Sequence, residues 1–488
     1  MFMCFSKTQA LSRSGDARPF AADADGTVLG EGIGMLVLKR LEDAERDGDR
    51  VYAVLRGIGA SSDGRSQSIY APRAEGQAAA LREAYRIADV SPATVELVEA
   101  HGTGTTVGDV VEFEALRSVY REAAPTGRWC TLGSVKSQIG HTKAAAGAAS
   151  LIKAVLALHH RVLPPTIKSR PVNPKLELTA SPFFISEAPR PWISDGVHPR
   201  RAAVSSFGFG GSNFHAVLEE SAATRREPAW DATVQIIALS ADDEPTLRNA
   251  LRDWRQSAER PLAPDVLAHR AAESRRTFRR ERALRLVMVL GPHTELPALL
   301  RSADDALDAR GVAHDWHIKD VYFGANDSPG DLAFLFPGQG SQYVGMAGDV
   351  VRTFPEALDA IEEAHRAALD ERDLAGAIYP PPAEDDDSAR RQQAALTDTE
   401  TAQPALGAVS LAMLRVLKRF GIEADFTAGH SYGELVALRA AGRIGDATLR
   451  KLSQLRAKLK SKEKEAIELK AALEVRGEQR SRELADKE

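Results

Sequence analysis

The stretch Gly133-Ser-Val-Lys-Ser-Gln-Ile-Gly-His-Thr-Lys-Ala-Ala-Ala-Gly147 combines a strand end, a turn, ionisable side chains and a helix start. Leu132 and Val135 suit the end of a buried strand, and the apolar residues of 143–160 recur at helical spacing. His141 is then placed at a helix N-terminus, where the helix dipole disfavours imidazolium. A neutral ring there can donate an N–H to developing negative charge. The alternative is that His141 only caps the helix.

The residues before this stretch are predicted to form its scaffold. Apolar runs between charged turns predict strands at Gly34–Leu38 and Val51–Gly59. The Ala-rich amphipathic pattern of Ala74–Ala88 predicts a helix. Because strands and helices alternate, we expect an α/β layered core.

A second histidine occupies the same kind of position. In Glu99-Ala-His-Gly-Thr-Gly-Thr105, a strand end delivers His101 into a Gly-Thr loop before a helix predicted at Asp109–Val119. Carboxyl ends of neighbouring parallel strands meet at one edge of a sheet. We therefore predict that His101 and His141 present two N–H groups to one thioester or carboxylate.

A third motif is rich in glycine. Ser205-Ser-Phe-Gly-Phe-Gly-Gly-Ser-Asn-Phe-His215 is predicted to lead into a strand at Ala216–Leu218. Its glycines permit a close approach of the backbone to a ligand or a turn with positive φ. Turn formation alone explains such a loop, so the motif carries little weight by itself.

Residues 222–330 differ in composition from the rest. Arg and Glu are more frequent, and Val234–Leu239 and Leu284–Leu290 are predicted strands between amphipathic helices. We expect a small α/β connector without a site. Its basic run Arg275–Arg282 includes a glutamate and lies in neutral surroundings, which favours a solvated helix face over a polyanion site.

A second candidate site follows the connector. Leu332-Ala-Phe-Leu-Phe336 is a predicted buried strand that leads into the turn Pro337-Gly-Gln-Gly-Ser341. Phe426-Thr-Ala-Gly-His-Ser-Tyr-Gly-Glu434 has the strand, turn and helix context of a Gly-x-Ser-x-Gly nucleophile elbow. Such an elbow exposes the Ser431 hydroxyl at a helix N-terminus, and the amide of Tyr432 can donate to an oxyanion. Ser431 is therefore a predicted nucleophile.

The C-terminal residues 457–488 are dense in Lys, Glu and Arg. Around their start, apolar residues follow a heptad seam that Lys462 interrupts, namely Leu452, Leu455, Leu459, Ala466, Leu469 and Leu473. This pattern predicts a solvated or weakly dimerising helix rather than a core element of the preceding domain.

Composition excludes several classes of protein. The 488 residues predict two or three domains, and 63 basic against 68 acidic residues give a net charge of −5. That balance disfavours nucleic acid and anionic membranes as partners. Cys4 and Cys130 cannot build a disulfide framework and are interpreted as structural, and no apolar run reaches membrane-spanning length. We expect a cytoplasmic location and no metal site.

Together these motifs resemble the ketosynthase–acyltransferase region of type I iterative polyketide synthases. The likeness is greatest to polyunsaturated fatty acid synthases, with enediyne and glycolipid synthases close, and this subgroup rests on Tyr70–Gln77 and Lys143. The other shared motifs stand in the family's order, and they lie at 99–105, 133–143, 205–215, 337–342, 403–405 and 429–434.

The resemblance implies an α/β protein of four parts. These are the C-terminal portion of a thiolase-fold ketosynthase at 1–221, a small α/β linker domain at 222–330, the N-terminal portion of an α/β-hydrolase-like acyltransferase at 331–456, and a charged C-terminal helix at 457–488. The family's nucleophilic cysteine precedes Asp23, and its general-base histidine would follow Glu488. We therefore expect a chain truncated at both ends, partial or inactive alone.

In the ketosynthase, the resemblance assigns four residues. His101 and His141 match the histidines that assist decarboxylation of a malonyl thioester and stabilise the enolate. Lys136 matches the lysine beside them, and Phe209 matches the gating aromatic near the acyl pocket.

In the acyltransferase, the resemblance assigns Ser431 as the acylated nucleophile and Arg456 as the partner of the malonyl carboxylate. The guanidinium group of an arginine binds a carboxylate through two parallel hydrogen bonds. The remaining matches are the oxyanion amides of Gln339 and Tyr432 and the substrate-binding residues His430 and Gln403.

The implied reactions are decarboxylative Claisen condensation and malonyl transfer from CoA to an acyl carrier protein. The substrates would be malonyl-CoA, acyl thioesters and the phosphopantetheine arm of the carrier protein, with no tightly bound cofactor. The full-length protein is expected to be a homodimer, with no nucleic acid or membrane partner. The alternative is a catalytically dead module that only binds carrier protein or a partner subunit. A different product, an enediyne or glycolipid acyl chain, is also open.

Overall fold

The computed structural model describes residues 2–64, 71–208, 210–222, 227–229, 233–325, 330–369 and 372–485, with side chains to residue 467 except at 2, 4 and 464. The backbone forms two compact units. The first comprises Met1–Pro228 and Ala333–Glu488, and the second is Ala229–Leu332. Within the described residues, no helix is both long and apolar enough to cross a bilayer.

The first part of the larger unit is built on a mixed sheet. Its helices are α1 (Phe2–Lys7), α2 (Leu41–Asp47), α3 (Ala74–Ala88), α4 (Gly108–Ala123), α5 (Lys136–Ile139) and α6 (Ala146–His160). Its strands are β1 (Ala53–Ser62), β2 (Leu97–Glu99), β3 (Cys130–Gly133), β4 (Val162–Leu163), β5 (Phe183–Phe184), β6 (Arg190–Pro191), β7 (Arg201–Gly208) and β8 (Ser212–Glu220). Six of the strands pair in the order β1-β8-β7-β2-β3-β5, and β4 pairs with β6.

Helices cover both faces of this sheet. On one face α3 and α4 pack Leu81, Phe113 and Leu116 against it, and on the other α6 packs Leu158 beside Trp192. Strands buried on both faces are expected to be mostly apolar, as Leu97, Val98 and Leu132 of β2 and β3 are. The parallel strands β2 and β3 end side by side, with Glu99 paired to Gly133.

Two sequence-based expectations for this part need correction. Gly34–Leu38 is not a strand: Gly34 packs against Ala148, and the following side chains of Met35 and Val37 are 88% and 98% exposed. An apolar run supplies side chains for a sheet but not the neighbouring strand that pairs with it. The segment Ser205–His215 is a hairpin of β7 and β8 rather than a long loop. Phe209 and Tyr70 lie outside the described residues.

The second unit is a small antiparallel sheet with helices. It contains α7 (Glu244–Ser257), α8 (Pro264–Thr277), α9 (Leu296–Arg310), β9 (Gln235–Ala241), β10 (Leu284–Leu290), β11 (Trp316–Ile318) and β12 (Val321–Ala325), with strand order β11-β12-β10-β9. The two short strands β11 and β12 were not predicted. In the basic run, Arg275 and Arg282 donate to the backbone carbonyls of Ile236 and Ser240.

The rest of the larger unit is mostly helical. It contains α10 (Gly348–Thr353), α11 (Pro355–Ala368), α12 (Leu374–Ile378), α13 (Asp386–Thr397), α14 (Thr399–Arg419), α15 (Gly433–Ala440), α16 (Asp446–Ala485), β13 (Ala333–Phe336) and β14 (Phe426–Gly429). The parallel pair β13 and β14 precedes the two turns of the second candidate site. The predicted burial of β13 is wrong, since Leu335 is 76% exposed.

Helix α16 runs without a break across residue 457, which was the predicted start of the tail. Its first turns pack Leu449, Ser453 and Ala457 into the core, whereas Leu455 and Leu459 of the heptad seam are exposed. The boundary at residue 457 and the pairing of the seam stay predictions.

A buried ion pair joins the two parts of the larger unit. Arg200, just before β7, pairs with Glu362 on α11, and both side chains are 3% exposed. The Glu362 carboxylate also accepts from the Ser194 N–H at 3.0 Å and from Arg366 at 2.8 Å. A buried charge of this kind is tolerated only when its hydrogen bonds are made.

Because removing one partner leaves the other charge buried, we expect Glu362→Ala to lower the free energy of unfolding by about 3 kcal/mol. Urea denaturation at neutral pH measures this change. The control is Glu122→Ala, which breaks the exposed pair with Arg82 and should cost less than about 1 kcal/mol. Equal losses in the two variants would contradict the structural role of Glu362.

Candidate active sites

The two predicted histidines lie together at the carboxyl ends of β2 and β3. Their ring centroids are 5.4 Å apart, with the planes nearly perpendicular at 85°. The backbone of His101 is held by the Glu112 carboxylate, which accepts its N–H at 2.7 Å. The backbone N–H of His141 donates to Val28 O at 2.6 Å. Separate backbone contacts therefore hold the two histidines next to each other.

The hydrogen bonds of His141 assign its tautomer. Its Nδ1 accepts the backbone N–H of Lys143 at 3.0 Å, so the ring proton of the neutral form lies on Nε2. The ring thus caps the turn at Lys143–Ala145 and still offers an N–H. The capping and functional interpretations are compatible.

Both rings are neutral at pH 7, and burial is the main cause. Burial lowers the pKa of His141 to about 4, and the charges of Lys136 and Lys143 add to this. Burial lowers the pKa of His101 well below its usual range, followed by the effects of Lys136 and His141. The contribution of the helix dipole stays a prediction, and helical backbone begins two residues after His141, with the turn Lys143–Ala145 leading directly into α6.

Lys136 lies behind the pair, 1% exposed, in a cluster of buried charges. Burial lowers its pKa, whereas Glu99, Glu112 and Asp109 raise it. Of these carboxylates, Glu99 accepts the Val135 N–H, and so ties the end of β2 to the turn that carries Lys136.

Sequence reasoning missed this carboxylate shell. Asp109 accepts the N–H groups of Phe20, Thr103 and Gly104, and Glu112 accepts those of His101 and Gly102. The signal was present, because Asp109 and Glu112 are three residues apart near the start of a helix and so lie on one face.

The Ser431 turn has the geometry of a nucleophile elbow. Ser431 stands between β14 and α15 with φ 55°, a conformation that costs energy for a residue with a side chain. The turn is so tight that a Cβ at Gly429 would come 2.1 Å from the Gly433 carbonyl carbon. A Cβ at Gly433 would come 2.1 Å from Phe336 O. Glycine is therefore required at both positions.

Other predicted residues gather around this serine. Arg456 donates to Ser431 O at 3.0 Å, and its second terminal nitrogen lies 3.5 Å from Ser431 Oγ. Gln403 donates to Gln339 at 3.3 Å, forming a second pair of predicted residues. The ring of His430 borders Gly338, where an added Cβ would come within 2.9 Å of its Nδ1.

The Tyr432 side chain points away from the serine into the core, where its hydroxyl meets Ser453 Oγ at 2.6 Å. A groove with a volume of about 1700 Å³ runs along β13 and α14, and Ser431 does not line it. Among the described residues, no group of three His, Cys, Asp or Glu side chains is placed to hold a metal ion.

Family models match most of the chain. They are the beta-ketoacyl synthase N-terminal domain at residues 1–44, the beta-ketoacyl synthase C-terminal domain at 52–170, the ketoacyl-synthetase C-terminal extension at 172–282 and the acyl transferase domain at 333–484. The α/β class and the presence of ketosynthase and acyltransferase sequences agree with these matches. The acyl transferase match continues along α16 to residue 484.

Similar curated proteins are large synthases. The chain is 37% identical over 456 residues to the spectinabilin polyketide synthase system protein NorA of Streptomyces orinoci, covering 90% of this chain and 22% of that protein. It is 38% identical over 489 residues to a polyunsaturated fatty acid synthase subunit from a Thraustochytrium species, covering 94% and 17%. The chain thus spans about a fifth of the length of these relatives.

Similar solved structures are ketosynthases. One is the ketosynthase from module 6 of the bacillaene synthase of Bacillus subtilis, 33% identical, with a TM-score of 0.45 over 66% of this chain and 54% of that one.

The pKa of His141 gives a testable acid sensitivity. An unfolded histidine titrates near pH 6.5, and the folded ring near pH 4, so only the unfolded chain gains this proton between those values. Stability is therefore expected to fall as the pH drops from 6.5 toward 4. Urea unfolding at stepped pH should show a smaller decline for His141→Gln than for the unsubstituted chain. An identical decline would mean that His141 is not neutral in the folded protein.

Proposed function

We propose a function from the premise that this chain belongs to the ketosynthase–acyltransferase region of type I polyketide synthases. As part of a multidomain synthase, it would take a malonyl group from CoA onto Ser431 and pass it to the phosphopantetheine arm of an acyl carrier protein. Malonyl-CoA and carrier-protein substrates fit the predicted cytoplasmic location.

One observation carries the proposal, namely that Arg456 lies over the hydroxyl of a strained, part-exposed serine. The hydroxyl oxygen of Ser431 would attack the thioester carbonyl, forming a C–O bond and breaking the C–S bond. The hydroxyl proton would pass through solvent to the released CoA thiolate. Arg456 would pair with the distal carboxylate of the malonyl group, since a guanidinium fork matches a carboxylate bidentately.

A second activity is favoured by the histidine pair. A malonyl thioester that loses CO₂ leaves an enolate, and two neutral N–H donors stabilise the negative oxygen where it forms. We propose that His101 and His141 share that oxygen, and the 5.4 Å between their ring centroids supports this. The enolate carbon would then attack an acyl thioester, and the acyl group would leave its sulfur. A homodimer of the full-length protein belongs to this proposal.

Sequence identity favours neither type of product, because a polyketide synthase and a polyunsaturated fatty acid synthase match this chain at 37% and 38%.

The competing function is binding of carrier protein or a partner subunit without catalysis. It predicts no covalent adduct.

Acyl transfer is tested by incubation with malonyl-CoA and intact mass measurement. We expect one malonyl adduct in the unsubstituted chain and none in Ser431→Ala. Arg456→Ala should slow malonyl loading by about tenfold or more relative to acetyl loading, because a charge-assisted hydrogen-bonded pair is lost. The control is Arg443→Ala on the loop before α16. Absence of the adduct in the unsubstituted chain would favour the binding function.

The histidine pair is tested by decarboxylation of a malonyl thioester, followed as CO₂ release. Removing one donor to an oxyanion costs about a hundredfold in rate, so His101→Ala and His141→Ala should each lose most of the activity. Their combined loss should not be additive, since the two rings serve one oxygen. The control His269→Ala removes an exposed histidine of the second unit. Equal rates in all variants would refute the role of the pair.

A further inference from the structure

We infer that Tyr432 and Ser453 form a positioning pair that holds Arg456 over Ser431 and thereby sets the preference for acyl groups that carry a carboxylate. The inference rests on acyl transfer at Ser431 as proposed above. Neither side chain touches the substrate, and both side chains act through the placement of Arg456.

The pair is a short, fully buried hydrogen bond. Tyr432 is 0% and Ser453 2% exposed, and their hydroxyl oxygens are 2.6 Å apart. The Ser453 hydroxyl donates to Leu449 O at 2.7 Å, so its single proton is used there. Tyr432 is therefore the donor to Ser453. Burial raises the pKa of Tyr432 to about 12, which keeps the donor neutral and protonated.

This bond and Arg456 connect the same two segments. Tyr432 follows Ser431 in the elbow, and Ser453 precedes Arg456 by three residues, close to one turn of α16. Arg456 donates to Ser431 O at 3.0 Å, while Tyr432 donates to Ser453. These two hydrogen bonds, donated in opposite directions, therefore fix the rotation of α16 about its axis and its position along that axis relative to Ser431.

A glycine in the neighbouring helix supports the arrangement. A Cβ at Gly407 of α14 would come 2.2 Å from the Tyr432 hydroxyl and 3.4 Å from Ser453 Oγ. Glycine is unfavourable inside a helix relative to alanine. Its presence at this point leaves the space that the hydroxyl pair occupies.

A purely structural role makes a different prediction. If the pair only fills the core, its loss lowers stability and affects malonyl and acetyl groups alike. If the pair positions Arg456, its loss affects only acyl groups with a carboxylate, because acetyl offers Arg456 nothing to bind. The ratio of the two loading rates separates these cases.

The experiment measures single-turnover loading of Ser431 by malonyl-CoA and by acetyl-CoA, using intact mass. Tyr432→Phe keeps the backbone amide and should lower the malonyl-to-acetyl ratio about fivefold, the effect of one hydrogen bond. The matched control is Tyr379→Phe, which removes another tyrosine hydroxyl, 3.0 Å from Met346 O, in the same unit. That variant should keep the ratio unchanged.

Two further variants keep the test decisive. Ser453→Ala should match Tyr432→Phe, and the double variant should be no worse than either, since one interaction is lost in each. An unchanged ratio in both single variants would overturn the inference while the unsubstituted chain still loads malonyl. Unfolding of both would overturn it too, because the pair would then serve stability. No adduct in the unsubstituted chain would overturn the proposed acyl transfer instead.

Discussion

The parallel pairing of β2 with β3 is the constraint on which the ketosynthase site depends. Its register sets Glu99 opposite Gly133, so the two strands end at the same level of the sheet. The β2 end reaches His101 after two residues, whereas the β3 end needs the short helix Lys136–Ile139 to turn back to His141. A slip of one residue would move these side chains to opposite faces. The Glu99 carboxylate, bound to the Val135 N–H, holds the two ends together.

Burial has a useful and a costly consequence at this site. It keeps both imidazoles neutral, and a neutral ring still carries one N–H that can donate to an oxyanion. The same burial penalises Lys136, whose charge is supported by the carboxylates of Glu99 and Glu112. Glu112 in turn accepts the N–H groups of the His101 loop. The Glu112 carboxylate therefore both holds the backbone that positions His101 and balances the charge of Lys136.

The helices and strands that were predicted correctly are those determined by short-range residue patterns. The helix Ala74–Ala88 and the strand Leu284–Leu290 have the predicted bounds, because their apolar residues recur at a single period and their ends are marked by turn residues. The apolar run Gly34–Leu38 failed as a strand, since pairing depends on a neighbour that the run does not encode. The short strand Trp316–Ile318 was missed because three residues show no period.

The same distinction applies to the two sites. Gly429 and Gly433 make the elbow recognisable in the sequence, because the steric limits of a tight turn act over a few residues. The contacts proposed to position Arg456 at that elbow are long-range. Tyr432 and Ser453 lie 21 positions apart in the sequence, and the missing Cβ of Gly407, on a third segment, leaves the space for them. No local pattern requires those three residues to meet. Motifs therefore reveal where chemistry can occur, whereas the packing behind them determines how firmly a charged side chain is held there.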